Sequence, residues 1–295
     1  MCVYYRYKAG VLIVVGVYVN DLLVTGTQQY AVDVFFDELK SLEIRDLGRA
    51  HKFLGMRIEY SDKDGYDLDQ EATIDELLQA LWVGESALIG TTTVTTFQSL
   101  VGSLLWIARC TRPDIAFAVH KATRRTHAPT VADWKLAKRV LRYLAGTKSL
   151  KLRMDGGKSV ARPLDVVGYS DADYAADKTD RKSTTGGLVT ADGMAVSWIC
   201  KKQGGVSLST MEAEFTAASV VAQELQGVRE LLVEMKVKYM APMELHVDNQ
   251  VALKQLAGEQ SSGKAKHIDV LIKFVGDYGR RGVGKNRLGS YTVQI

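Results

Sequence analysis

The sequence predicts an α/β protein (α+β) in two units, the second a mixed sheet flanked by helices. Three observations predict it. After Pro163, three strand-like runs follow one another, then a long amphipathic helix, then a fourth strand; a hairpin, a crossover helix and a returning strand describe a mixed sheet. Before Gly156, short strands alternate with segments of helical period. The chain has 295 residues, 46% hydrophobic and 24% charged, with a net charge of +4. That size suits about two domains with ordinary globular interiors, and the composition excludes disorder as the main state.

Residues 3–26 read as two strands, VYYRY and VLIVVGVYV, joined by Lys8-Ala9-Gly10 and ending at Asn20-Asp21. The apolar run Ala9–Val19 has eleven residues, too few to span a bilayer, so no membrane partner is expected. Basic residues precede it, as in a signal peptide, but no small-residue cleavage site follows; a buried strand is the expectation. Residues 30–42 fit a short amphipathic helix, 51–66 a hairpin turning at Asp64-Gly65, and 71–82 a helix. Residues 84–96, rich in Gly, Ser and Thr, form the weakest-ordered stretch. Helices at 97–109 and 114–126 are separated by Arg112-Pro113, where proline breaks the pattern. A helix follows at 131–145, with Thr130 and Asp133 as its N-cap signature and Gly146 as its stop. Gly156-Gly157 and Pro163 mark a linker over 154–163, between a first unit at 1–153 and a second at 164–295. In the second unit, LDVVGYS, STTGGLVT and MAVSWIC are strands, the last two joined by Ala191-Asp192-Gly193. A helix over 211–235, the strand MELHVD and helices at 249–257 and 266–278 complete it. The tail from Gly279 has no acid and no helical period, and reads as truncated or altered.

Charge is unevenly spread. Between Lys121 and Arg153 lie ten basic residues and one acid, Asp133. On helix 131–145, Leu136, Ala137, Val140, Leu141 and Leu144 make one stripe, and Lys135, Lys138, Arg139 and Arg142 another. One face packs; the other is a cationic ridge suited to a phosphate backbone. The three cysteines, Cys2, Cys110 and Cys200, form no CxxC pair, which fits a reducing interior and no zinc site.

Acidic residues fall where the topology can gather them. Asp171 ends the first strand of the second unit and Asp248 ends the fourth; if these strands are parallel neighbours, their carboxyl ends lie side by side. Glu212 and Glu214 open the helix between them. Ser209-x-x-Glu212 fits a capping box, which assigns Glu212 to the cap and Glu214, about 200° around the helix, to a metal. Asp173, two residues further along, ranks below Asp171 as a ligand. Clustered carboxylates are costly without a cation, and an all-oxygen set favours Mg2+ or Mn2+. Two such ions, roughly 3.5–4 Å apart, can activate water and stabilise a leaving oxygen in phosphodiester cleavage. Nucleotide-binding glycine motifs and the acyl-transfer GxSxG elbow are absent from the sequence.

Dense motifs run in order along the chain: YVNDLLVTG (18–26), FLGMRI (53–58), SLVGSLLWIARCTRPDIAFAV (99–119), RVLRYLAGT (139–147), GYSDADYAADKTDRKSTTGG (168–187), SWICKKQ (197–203), LSTMEAEFTAA (208–218), VDNQVAL (247–253) and KHIDV (266–270). Together they resemble the reverse transcriptase–ribonuclease H region of copia-type retrotransposon Pol polyproteins. The resemblance implies a partial polymerase palm and a helical thumb or connection, followed by a ribonuclease H domain. It implies carriage within a larger polyprotein, Mg2+ as cofactor and an RNA–DNA hybrid as ligand, cleaved in its RNA strand. It matches Asp171, Glu214 and Asp248 to the first three acidic residues of the ribonuclease H site. Asp269 can be offered as the fourth, beside a plain surface or ion-pairing role, and His267 as a phosphate contact beside a structural one. Arg181, Lys182, Lys201 and Lys202 would contact the hybrid near the site.

The chain also departs from the family. The polymerase motif Tyr-Val-Asp-Asp reads Tyr18-Val19-Asn20-Asp21 here, so an amide replaces a metal-binding carboxylate and no polymerase activity is expected. Two functions remain: a ribonuclease H-type endonuclease, or a catalytically inactive nucleic-acid-binding relic. Either implies an intracellular location, in a cytoplasmic particle or the nucleus.

Overall fold

The structure, a computed structural model, describes residues 2–42, 44–61, 63–82, 94–155, 162–248 and 284–288. The first sheet is a meander of β1 (Cys2–Lys8), β2 (Val11–Tyr18) and β3 (Asp21–Gly26), with α1 (Gln29–Glu38) packed on it. Where the sequence suggested two strands there are three. The turn is Val19-Asn20 and Asp21 already pairs with Tyr18, so the apolar run LLV continues the sheet. Ile13, Val15 and Ala31 make its small core. β1 lies at the edge and is exposed along its whole length.

A second sheet follows in the order β4 (Lys52–Phe53), β5 (Met56–Ser61), β6 (Gly65–Asp69) and β7 (Leu152–Met154). β7 was not expected. It runs into the span read as a linker, and the free edge of β6 gives its three residues a partner that no period could announce. Gly65 opens β6 instead of closing the turn. Ala9-Gly10, Leu54-Gly55 and Asp192-Gly193 are two-residue loops with both residues at positive φ, the turn whose twist matches antiparallel strands.

The helices α2 (Glu71–Trp82), α3 (Val94–Cys110), α4 (Ala116–Thr123) and α5 (Val131–Thr147) share a core of Phe97, Leu100, Leu104, Ile107, Val119 and Leu144. α3 starts three residues before the expected 97, inside the Gly/Ser/Thr-rich stretch, because Phe97 buries completely and draws the preceding turn into the helix. A 3-10 turn, Pro113–Ile115, opens α4. α5 runs one residue past Gly146, since a glycine in a helix is tolerated when its neighbours pack. The Thr130–Asp133 capping box is present in both directions. No helix among the described residues is long and apolar enough to cross a membrane.

The third sheet has the order β10 (Met194–Lys202), β9 (Thr184–Ala191), β8 (Val166–Asp173), β11 (Met243–Val247) and β12 (Gly284–Leu288). β8, β9 and β10 are antiparallel neighbours; β11 runs parallel to β8, and β12 parallel to β11. This is the expected mixed sheet, covered by α6 (Thr210–Glu234). The tail, read as altered, therefore still supplies a fifth strand; parallel pairing with β11, not local alternation, defines it. The expected helices at 249–257 and 266–278, residues 84–93 of the weak stretch and 156–161 of the linker lie outside the described residues.

α6 buries Phe215, Ala218, Val221, Ala222 and Leu225 against Val166, Val189 and Leu245. Fully burying each large side chain is worth roughly 1.5–3 kcal/mol. The close approach needs Gly187, where an added Cβ would sit 2.7 Å from Val221 Cγ2. Gly187→Ala should therefore destabilise by about 1–3 kcal/mol, because a valine branch cannot swing aside and overpacking outweighs the gain in chain entropy. A urea midpoint equal to the parent's would refute this.

Candidate metal centre

Register places the first two carboxylates. Val247 pairs with Ser170 between the parallel strands β11 and β8, so the next residues along each, Asp248 and Asp171, emerge together at one sheet end. Glu214 comes from the second turn of α6, which crosses above β8. Ser209 caps this helix: its side chain accepts from the Glu212 N–H at 3.2 Å. Glu212 reaches back and accepts from the Leu208 N–H at 2.7 Å, one residue before the expected N-cap amide. The cap holds Glu212 away from the sheet end and aims Glu214 into it.

Asp171, Glu214 and Asp248 each offer one oxygen, and these oxygens lie within 4.8 Å of one another. Among the described residues they form the one metal-competent acidic group of three. Glu214 is 7% exposed, whereas Asp171 and Asp248 open to solvent. The Ala172 N–H donates to Asp171 Oδ1 at 2.8 Å, fixing that carboxylate. Burial, with the charges of Asp248 and then Asp171, pushes the Glu214 carboxyl up to about 8. Asp248 is also raised, by burial and then by Asp171. Glu214 Oε2 is buried without a hydrogen-bond partner. Such an orphaned oxygen, facing two other carboxylates, is what a hard divalent cation would satisfy. The donor set fits Mg2+ or Mn2+, with no nitrogen or sulfur to favour zinc.

The remaining expected residues are placed as follows. Asp173 pairs with Thr184 and stands outside the cluster. Asp269 and His267 lie outside the described residues. Lys135, Arg139 and Arg142 are exposed along α5, and Lys138 is half-buried there. Arg181 and Lys201 are exposed and Lys182 half-buried. Lys202 is engaged in ion pairs with Asp177 (2.5 Å) and Asp180 (2.8 Å). Tyr18, Val19, Asn20 and Asp21 form the β2–β3 hairpin tip, with Val19 at φ 53.

The basic block is less uniform than its composition implies. Arg124 pairs with Asp177, Lys148 with Asp75, Lys151 with Glu59 and Asp67, and Arg153 with Asp64. Most of these acids come from the β5–β6 hairpin and α2, remote in sequence but adjacent in space. The cationic surface thus contracts towards the α5 ridge. Sequence reading missed Arg112, 2% exposed, whose guanidinium forks onto Asp114 and reaches Thr147. Its one signal was a charged residue between two apolar helices.

Comparison with known proteins gives a consistent picture. The family model described as reverse transcriptase (RNA-dependent DNA polymerase) matches residues 1–95. The retrovirus-related Pol polyprotein from transposon TNT 1-94 of Nicotiana tabacum is 33% identical over 300 residues, covering 93% of this chain and 22% of that protein. A Saccharomyces cerevisiae protein named for transposon Ty5-1 is 33% identical over 241 residues, covering 75% of this chain and 77% of its own length. Among solved structures, LC11-RNase H1, isolated from compost, covers 42% of this chain and 82% of its own, at 16% identity and a TM-score of 0.33. The chain spans about a fifth of the length of the Pol polyproteins it matches.

Proposed function

This chain belongs to the Pol proteins of copia-type retrotransposons, and on that premise we propose that its C-terminal unit is a ribonuclease H-type endonuclease that cuts RNA in RNA–DNA hybrids. The observation that carries this reading is the convergence of Asp171, Glu214 and Asp248, with a buried Glu214 oxygen left without a partner. Those three residues would hold Mg2+ (or Mn2+), which when bound supplies Lewis acidity and activated water to a scissile phosphodiester, in a pair of ions for the two-metal reaction. Asp171 and Asp248, at the exposed rim, face the incoming phosphate; Glu214 anchors the cluster from below. Lys135, Lys138, Arg139 and Arg142 on α5, with Arg181, Lys182 and Lys201 nearer the sheet, hold the hybrid by its backbone. Specificity then rests on 2′-hydroxyl and backbone contacts instead of base reading. The hairpin at Asn20 lacks one polymerase carboxylate, so DNA synthesis forms no part of the proposal. The unit acts as part of a longer Pol polyprotein inside the cell, in a cytoplasmic particle or the nucleus.

The test is cleavage of a labelled RNA–DNA hybrid in Mg2+, with duplex DNA as the negative substrate. The parent should cut the hybrid alone, and Asp248→Asn should lose activity by about 10²–10³-fold. Equal cleavage by parent and variant would refute the assignment. A parent that binds hybrid in a salt-sensitive way but never cuts it, in Mg2+ or Mn2+, would establish the catalytically inactive relic instead. Binding itself checks the α5 ridge. Replacing Lys135, Arg139 and Arg142 together by Gln should reduce the slope of log K against log salt by about 2–3. An unchanged slope would remove the ridge from the interface.

A further inference from the structure

The end of α4 docks on the third sheet. Arg124, its C-cap, donates from Nη1 to Asp177 Oδ2 at 3.1 Å and from Nη2 to Thr184 Oγ1 at 3.0 Å. Asp177 lies in the loop leaving β8, and Thr184 begins β9 opposite Asp173. One turn earlier, His120 accepts at Nε2 from the backbone N–H of Lys202 (3.3 Å), and its Nδ1 lies 3.3 Å from Arg124 Nη2. Lys202 Nζ closes the cluster by pairing with the same Asp177 oxygen.

The contact continues inward through Gln203, 6% exposed. Its backbone N–H donates to the Ser183 carbonyl at 2.9 Å. Its side-chain amide donates to Thr185 Oγ1 (3.2 Å) and to the Ala213 carbonyl (2.9 Å). Ser207 donates back to its carbonyl oxygen at 3.1 Å. Thr185 pairs with Ala172, the residue after Asp171, and Ala213 precedes Glu214. A chain of hydrogen bonds therefore joins α4 to the peptides that carry two of the three clustered carboxylates.

We infer that Arg124 and His120 are positioning residues through which the helical unit sets the register of the acidic centre, so that its competence depends on α4 being docked. The inference rests on the ribonuclease reading of that centre. Geometry gives it weight: carboxylates on strand ends tolerate little displacement, and about 1 Å of misplacement can cost on the order of 100-fold in rate. His120 Nε2 accepts from the Lys202 N–H, and burial, Arg124 and Lys202 hold its pKa below the ordinary histidine value, so the ring is neutral with its one proton on Nδ1. The two units meet at a second point, where Trp198 Nε1 donates to the Ala108 carbonyl at 2.7 Å. That contact lies away from the β8–β9 end and offers a comparison.

The test uses the full chain as parent, Arg124→Met, Arg124→Lys and Trp198→Phe. Three quantities are measured: kcat and KM on an RNA–DNA hybrid in Mg2+, hydrogen exchange over residues 171–186, and the urea midpoint. Arg124→Met should lower kcat about tenfold or more with KM within about twofold, and speed exchange over 171–186. Arg124→Lys, which keeps a charge for Asp177, should recover part of the loss, and Trp198→Phe should keep the parental kcat. Parental kcat in Arg124→Met, or an equal loss in Trp198→Phe, overturns the inference. Should Arg124→Met fail to fold, Arg124→Lys against Asp177→Asn decides by the same measures. A parent that cuts no hybrid defeats the ribonuclease reading alone; exchange over 171–186 then judges the brace, and no change in Arg124→Met overturns it.

Discussion

Glu214→Gln is expected to abolish hybrid cleavage, by on the order of a thousandfold, while making the metal-free protein more stable at pH 8. The two effects share a cause. Glu214 is buried beside Asp248 and Asp171, and its folded pKa is pushed up to about 8. For an acid raised on folding, the stabilising contribution is complete below the unfolded pKa, near 4.5, and is lost as pH rises through about 8. The metal-free parent should therefore lose stability steadily over that window. A shift of this size would be worth several kcal/mol in full. Solvent at the open rim, where Asp171 and Asp248 lie, screens it, and about 1–3 kcal/mol is expected. Glutamine carries no charge to desolvate, so the variant's urea midpoint should be nearly flat from pH 5 to 9 and exceed the parent's at the alkaline end. Mn2+ titration should show weakened binding in the same variant. A variant less stable than the parent at pH 8, or one that binds Mn2+ as tightly, would contradict this account of the cluster.

Arg112→Met is expected to be among the most destabilising single changes in the helical unit, at about 3–5 kcal/mol. Arg112 Nε and Nη2 fork onto Asp114 at 2.9 and 2.7 Å, while Nη1 and Nη2 reach the Thr147 carbonyl and hydroxyl at 3.1 and 2.8 Å. Tyr143 lies beneath the guanidinium, 5.6 Å from ring centre to Cζ. One side chain thus ties the α3–α4 turn to the end of α5. Burial alone would raise the Asp114 carboxyl, but hydrogen bonds from Arg112 and Tyr143 outweigh it and hold it below the ordinary value. Methionine fills similar volume but takes from Asp114 its two guanidinium bonds, leaving only that of Tyr143, and from the Thr147 carbonyl its Arg112 donor. Arg112→Lys should recover little, because a point charge cannot fork to both partners. Urea unfolding followed by fluorescence from Trp134, which packs on this core, measures the loss. A midpoint within about 0.5 kcal/mol of the parent would show that the pair contributes nothing net.

What could be read from the chain was whatever local rules write locally. Ser209 with Glu212, and Thr130 with Asp133, announced their helix starts because a cap needs partners only three residues apart. Asp171 and Asp248 were legible because each follows an apolar run, although β8 continues past Asp171 to Asp173, and parallel pairing follows from one crossover helix. What escaped depends on partners supplied at a distance. β7 exists because β6 has a free edge; β12 exists because β11 does. The basic block was overcounted because its neutralising acids sit on other elements, Arg124 was counted only as one more member of it, and His120 drew no notice, since the partners of both lie over 50 residues away.

The strand order of the third sheet has a consequence for how it can be made. β8, the first strand synthesised, ends in the middle of the sheet, with β9 and β10 on one flank and β11 and β12 on the other. Every later strand thus joins an edge that already stands open, and none must wedge between two partners already bonded. A nascent chain emerging from its N-terminal side can lay this sheet down outward from its centre, without ever undoing a pairing it has formed.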